Sequence, residues 1–297
     1  MSIQDDARAL LARAARPCGI KTRAGAVECA VDGAGPAVLA LHGGAGGCDQ
    51  GLLLAASAIG EGVRVVAPSR PGYLGTPLAA GPSPAKQADL YADILDRLGI
   101  DDAAVIAVSG GGPSALEFAL RHPGRCRRLV LVSACTRRLE LELPFRFHVM
   151  KLLARWPALA RVLMSGIVRD PVRAARRSIA DPQARAALLA DPVASSLFGA
   201  LQLTIADRLA QRIPGTENDH RRCHEADGWP LERIAVPTLA IHGTTDRIVD
   251  FDHAQGVAAR VPGAELMAIE GGEHVCLFTH RRAIRTRVRA FLALPQA

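Results

Sequence analysis

The chain has 297 residues, 49% of them hydrophobic, enough to bury a large core in one big domain or two smaller ones. Its net charge is +7, but with only 4% aromatic residues and no recognisable binding motif, nucleic acid is not an expected partner. No apolar run of about eighteen residues is present to span a membrane, and seven cysteines without a C-x-x-C pair argue against a disulfide framework or zinc site and fit a reducing cytoplasm.

The N-terminal stretch MSIQDDARALLARAARP lacks the apolar centre of a secretory signal and reads as a short amphipathic helix, Asp5 to Ala15. Gly19 to Val31 suggests a hairpin turning near Ala24-Gly25. Strands are then expected at Ala37–Leu41, Val63–Ala67, Ala104–Val108, Arg128–Ser133, Thr238–His242 and Glu265–Glu270, at the spacing of βα units. Between the second and third of these, Ser83 to Leu98 has a serine cap, Pro84 just inside the start and Gly99 past the end, the punctuation of a helix. Such alternation implies an α/β fold, a mostly parallel sheet with helices on both faces.

The rhythm breaks between Thr136 and Arg233. No strand is expected there, and apolar residues recur at helical spacing: Phe145, Val149, Leu152, Leu153 and Trp156, then Leu159, Val162 and Leu163. Trp156-Pro157 and Asp170-Pro171 cut the pattern into short helices. The expectation is a helical cap, residues 136–233, inserted into a core domain made of residues 1–135 and 234–297. Its apolar side chains would either pack the cap or line a site beneath it. Between Arg137 and Arg185, ten Arg and one Lys face only Glu140, Glu142, Asp170 and Asp181, an excess equal to the chain's whole net charge. Solvated helix faces explain this, and a preference for anionic substrates is the second reading.

Chemistry is first suggested by Val105 to Ser114, VIAVSGGGPS. A strand that ends in Ser109 and turns at once into a helix exposes the hydroxyl beside free backbone N–H groups and the positive end of a helix dipole. Catalysis asks for a base, an acid to orient it, and donors for an oxyanion. His42-Gly43-Gly44-Ala45-Gly46-Gly47 follows the strand Ala37–Leu41, so Gly44 N–H is one candidate donor and Gly110 N–H, after the serine, the other. Asp246 lies just past the strand ending near Gly243. Asp252 is better placed to cap the next helix, and Asp250 is the weaker rival for the acid. His274 lies in a glycine-rich loop after the last strand. Cys48 and Cys276 sit close to these loops in sequence but are expected to be ordinary buried thiols.

With the order Ser109, Asp246, His274, each after an expected strand, the chain resembles the α/β-hydrolase fold superfamily from about Gly19 to its end. Arg70-Pro71-Gly72-Tyr73-Leu74-Gly75-Thr76 is similar to the family's R-P-G-x-G-x-S turn, with Leu74 as an extra residue. Ala107 replaces the first glycine of G-x-S-x-G. The resemblance implies a serine hydrolase that needs no cofactor or metal and acts on a small or medium-sized carboxylic ester, lactone or related acyl compound. Serine in place of an aspartate nucleophile disfavours epoxide-hydrolase and dehalogenase chemistry. C–C bond hydrolysis and aminopeptidase chemistry use the same residues, and the loop at His42 is similar to the HGGPGG of proline iminopeptidases except for Ala45. A ligand-binding receptor that keeps the triad without turnover is the rival from another class. The sequence leaves the oligomeric state open.

Overall fold

The computed structural model describes residues 11–12, 17–140, 143, 145–156 and 171–295. The expected N-terminal helix falls outside them except at residues 11–12, and Leu159, Val162 and Leu163 fall outside them altogether.

Strands β1 (Cys18–Thr22) and β2 (Gly25–Asp32) form the expected hairpin. Then come β3 (Ala37–Leu41), helix α1 (Cys48–Ala58), β4 (Arg64–Pro68), α2 (Pro84–Arg97), β5 (Ala103–Val108), α3 (Gly112–Arg121) and β6 (Cys126–Val132). The eight-stranded sheet has the order β1-β2-β4-β3-β5-β6-β7-β8, where β7 is Thr238–Gly243 and β8 is Glu265–Ile269. Only the pairs β1–β2 and β2–β4 are antiparallel; from β4 to β8 all strands run the same way. Because β3 has β4 on one side and β5 on the other, the chain reverses its direction of winding there. A crevice opens at such a switch point beyond the carboxyl ends of the strands.

The central strands are buried on both faces, which is why they read as continuous apolar runs. Alternate side chains divide between two cores. Val38, Ala40, Ile106, Val130 and Ile241 pack with Leu53 and Leu54 of α1 and with Ile284, Val288 and Phe291 of α11 (Arg281–Phe291). Leu39, Leu41, Val105, Leu129 and Ala240 pack with Leu90, Tyr91, Ile94 and Leu95 of α2 and with Phe118 of α3. Helix α2 starts as its sequence demands: Ser83 Oγ accepts from Lys86 N–H at 3.3 Å, with Pro84 at the first position.

Between β6 and β7 the described residues form helices α4 (Phe145–Leu153), α5 (Pro171–Ser178), α6 (Pro182–Ala190), α7 (Pro192–Ala206) and α8 (Ile213–His224), with no strand among them. Asp181 and Asp191 cap α6 and α7 by accepting from the first backbone N–H groups of each helix. This segment rests on the core through Phe198 of α7, edge-to-face with Phe278 of α10 (Cys276–Thr279) at 5.9 Å. The Ala180 and Asp181 N–H groups also donate to the carboxylate of Glu273.

The apolar stripe of α4 turns out differently from either expectation. Phe145 is 82% exposed and Trp156 54%, and Val149 and Leu152 also face out. The helix instead buries Phe147, which packs with Leu209, Ile213 and Met150. Helical periodicity locates an apolar face but does not say which of two faces meets a neighbour. Of the described arginines in this stretch, 137, 138, 155, 173, 176 and 177 are exposed, but only the last three lie on a helix, and Arg185 is half-buried and donates to Ile179 and Ala180 C=O. No single helix among the described residues is long and apolar enough to cross a membrane.

Candidate active site

Strand β5 delivers Ser109 directly into the crevice. Its φ of +50° is left-handed, a conformation that costs a non-glycine residue about 1–2 kcal/mol. The surroundings enforce it: Ser109 C=O accepts from Cys135 N–H at 3.0 Å, and a one-turn 3-10 helix, Ser109–Gly111, leads into α3. Gly111 has to be glycine, because a Cβ there would lie 2.8 Å from the carbonyl oxygens of both Leu41 and His42. Ala107, the departure from the family pattern, is fully buried in the apolar core and fits without disturbing it.

His274 and Asp246 meet this serine. Ser109 Oγ lies 3.1 Å from His274 Nε2, and His274 Nδ1 lies 2.8 Å from Asp246 Oδ2. The other carboxylate oxygen, Oδ1, accepts from Ile248 N–H at 2.8 Å and Val249 N–H at 3.1 Å. Asp246 therefore organises its own loop and holds the histidine at once. Burial pushes its carboxyl up, but the hydrogen bonds from His242 and His274, the His274 charge and the Ile248 N–H more than offset this. They hold it well below the usual carboxylate range. Asp250 is exposed; its backbone carbonyl accepts from His253 N–H, and its charge acts on Arg137. Asp252 is not the cap expected of it. It is the first residue of α9 (Asp252–Arg260), which makes no side-chain cap, and its carboxylate pairs with Arg137 instead.

The loop after β3 closes over the serine from the other side. A Cβ on Gly43 would lie 3.1 Å from Ser109 Cβ, so the two backbones touch. Gly44 N sits 3.6 Å from where a Gly110 Cβ would be, and the space above Gly44 is almost empty. Ala45, also left-handed at φ +51°, donates its N–H to Thr216 Oγ1 on α8 at 2.9 Å.

A model of the alpha/beta hydrolase fold matches residues 36–281, more than half of the chain. This chain belongs to the alpha/beta hydrolase fold family. An uncharacterized hydrolase of Bacillus subtilis is 28% identical over 84% of this chain and 89% of its own length. A pimeloyl-[acyl-carrier protein] methyl ester esterase of Aromatoleum aromaticum is 30% identical over 74% of this chain and 83% of its own. Among solved structures, an alpha/beta hydrolase fold protein from Nakamurella multipartita shares 32% identity and a TM-score of 0.77, covering 93% of this chain and 98% of that one.

In this alpha/beta hydrolase several buried polar groups around the crevice escaped the sequence reading. His42 is fully buried; its Nε2 accepts from Arg70 N–H at 3.0 Å, so the proton on Nδ1 is donated to Gly43 C=O at 2.7 Å. Arg70, 1% exposed, donates from Nε to His42 C=O at 2.8 Å and from Nη2 to Gly43 C=O at 3.2 Å. Its outer edge forms a bidentate pair with Asp219 of α8, whose Oδ2 also accepts from Tyr73 O–H. Burial works against the Arg70 charge, but Asp219 raises its pKa above the ordinary arginine value. A second buried pair runs the other way: Arg212, at the start of α8, grips Asp49 of α1. His242, at the end of β7, shares its Nε2 between Val249 C=O at 2.8 Å and Asp246 Oδ2 at 3.2 Å. The one available signal was the R-P-G loop, read only for its turn.

The two cysteines near these loops are buried. The Cys48 and Cys276 thiols are both pushed up to about 11, chiefly by burial. All seven cysteines are free, six of them buried. Among the described residues no group of three or more His, Cys, Asp or Glu could hold a metal ion.

Proposed function

We propose that the protein is a serine hydrolase that cleaves a carboxylic ester or lactone through an acyl-enzyme, with no cofactor. The observation that carries the reading is the unbroken relay of 3.1 Å and 2.8 Å from Ser109 Oγ through His274 to Asp246. Ser109 Oγ bonds to the substrate carbonyl carbon while its proton passes to His274 Nε2, and Asp246 stabilises the resulting imidazolium. The carbonyl electron pair moves to oxygen, where Gly44 N–H and Gly110 N–H receive the negative charge. Collapse of that intermediate breaks the bond to the alcohol, which leaves with the proton from His274. Water then loses a proton to His274 as it attacks the acyl carbon, and the acid is released as Ser109 recovers its proton.

Residues 136–233 act in this reading as a cap on a core of residues 1–135 and 234–297. Support comes from α8, which brings Asp219 beside Gly110 and Thr216 beside Gly44. A cap of this kind excludes water and shapes the acyl pocket. The methyl ester esterase named above supports ester cleavage. The free thiols fit a cytoplasmic location.

A fluorophosphonate probe and a panel of esters, lactones, vinylogous diketones and aminoacyl amides test the assignment. Ser109 should be labelled, kcat/KM should be highest for esters or lactones, and Ser109→Ala should lose about a thousandfold or more. Hydrolysis surviving in Ser109→Ala overturns the mechanism. Tight ligand binding with no turnover by the native protein favours a receptor instead.

A further inference from the structure

We infer that Arg70 is a positioning residue for the oxyanion hole, fixing the Gly43–Gly44 peptide plane and tying it to Asp219 on α8. The inference rests on the acyl-enzyme reading above and assigns a task to a side chain that is 1% exposed. In a trans peptide the carbonyl and the following N–H point in opposite directions within one plane. Whatever holds Gly43 C=O therefore aims Gly44 N–H.

Two donors converge on that oxygen: His42 Nδ1–H at 2.7 Å and Arg70 Nη2–H at 3.2 Å. Burial first, then the Arg70 charge, hold the His42 imidazole well below its usual pKa, consistent with the neutral tautomer this geometry needs. A cationic donor on the carbonyl also polarises the peptide, which makes its N–H a stronger donor. On the other side of the Gly44 Cα, the next peptide is anchored by Ala45 N–H to Thr216 Oγ1. Both anchors lead to one helix, because Asp219 and Thr216 are both on α8.

Asp219 has a second consequence. A Cβ on Gly110 would lie 3.1 Å from Asp219 Oδ2 and 3.7 Å from Arg70 Nη2, so the carboxylate borders the place where the oxyanion forms. Unpaired, it would oppose that charge; paired to Arg70, it is neutralised. The helical segment thus reaches the oxyanion hole through Asp219 and Thr216 of α8. The buried pair Arg212–Asp49 joins the same helix to the core; the third Arg212 side-chain bond goes to Asp207 C=O, none of these three bonds reaches the Gly43 carbonyl, and the Arg212 backbone carbonyl, which Arg212→Lys keeps, accepts from Thr216 Oγ1 at 2.8 Å. The pair serves as an internal control.

The test compares Arg70→Lys, Asp219→Asn and Arg212→Lys for kcat and KM on a p-nitrophenyl ester, Ki for a trifluoromethyl ketone that forms a hemiketal oxyanion with serine, and melting temperature. Arg70→Lys keeps the charge but loses the fork, and should lower kcat about 10- to 100-fold with KM within about twofold. Its Ki should weaken by the same factor, and Asp219→Asn should move both quantities in the same direction. Arg212→Lys should lower the melting temperature while kcat and Ki stay within about threefold of native. A Ki unchanged in Arg70→Lys, or a kcat loss no larger than in Arg212→Lys, overturns the inference. If Arg70→Lys does not fold, Asp219→Asn decides by the same two readouts. Native turnover that depends on Ser109 while both variants keep their Ki removes this inference alone; turnover independent of Ser109 removes the parent reading.

Discussion

At the carboxyl edge of the sheet, Ser109, Asp246 and His274 each stand within a few residues of a strand end, at β5, β7 and β8. Covalent geometry and parallel pairing place them, and each loop has little choice of path. The helical segment between β6 and β7 meets that edge by a different means. Its α8 is held by two buried ion pairs that cross the junction in opposite senses, Arg70 with Asp219 and Arg212 with Asp49. Strand ends fix these three side chains; long side chains fix α8 against the core. The first arrangement is rigid by construction, whereas the second is strong only while both members of each pair stay buried together.

Substitutions can break this contrast, and the largest effect belongs to the sheet edge. Asp246→Asn should cut kcat for ester hydrolysis by about three to four orders of magnitude, since the amide no longer stabilises the imidazolium. Asp250→Asn should change it by less than about threefold, because that side chain is exposed while Asp246 holds His274. Equal losses would show that the acid is misassigned.

Next in size is the junction itself. Asp49→Ala leaves Arg212 as an uncompensated buried charge and should cost about 3–5 kcal/mol in urea unfolding. Asp102→Ala, which breaks a half-exposed pair with Arg127, should cost less than about 1 kcal/mol. Similar costs for the two would mean that solvent reaches the junction.

The smallest of these effects is read by pH. His253 is buried against Thr136, whose N–H it accepts at 3.0 Å, and its pKa is lowered to about 4, mainly by burial and then by Arg137. Unfolded, the same ring takes a proton near 6.5. Its contribution is therefore intact above pH 6.5 and lost as pH falls from there to about 4, on the order of 3 kcal/mol in total. His42 adds to the slope in the same direction. Below pH 3.8 the Asp246 contribution fails in turn, because that carboxylate is held ionised by the fold. Melting temperature should fall across pH 6.5 to 4, less steeply in His253→Asn; identical slopes would contradict the buried neutral state.

The same contrast explains what could be read from residues alone. The strands were legible because parallel sheets bury both faces, and the serine turn because Ser109 is followed by glycines that permit close backbone approach. The helix at Ser83 was legible through its cap. The junction was not, because Arg70 and Asp219 are 149 positions apart and no spacing rule joins them. The excess of arginine between 137 and 185 drew attention to side chains that, among the described residues, are mostly exposed, while the buried arginines 70 and 212 lie outside it. Asp252 was misread as a cap because local spacing cannot foresee its pairing with Arg137, 115 residues away. His242 lay inside an apolar strand and gave no signal of its contact with Asp246.

The central claim is tested most directly by acid-quenching the protein during turnover of a slow activated ester and measuring peptide masses. One acyl group should be found on the peptide that carries Ser109, rising before steady state and missing from Ser109→Ala. Turnover that proceeds with no such adduct, and equally well in Ser109→Ala, would contradict it.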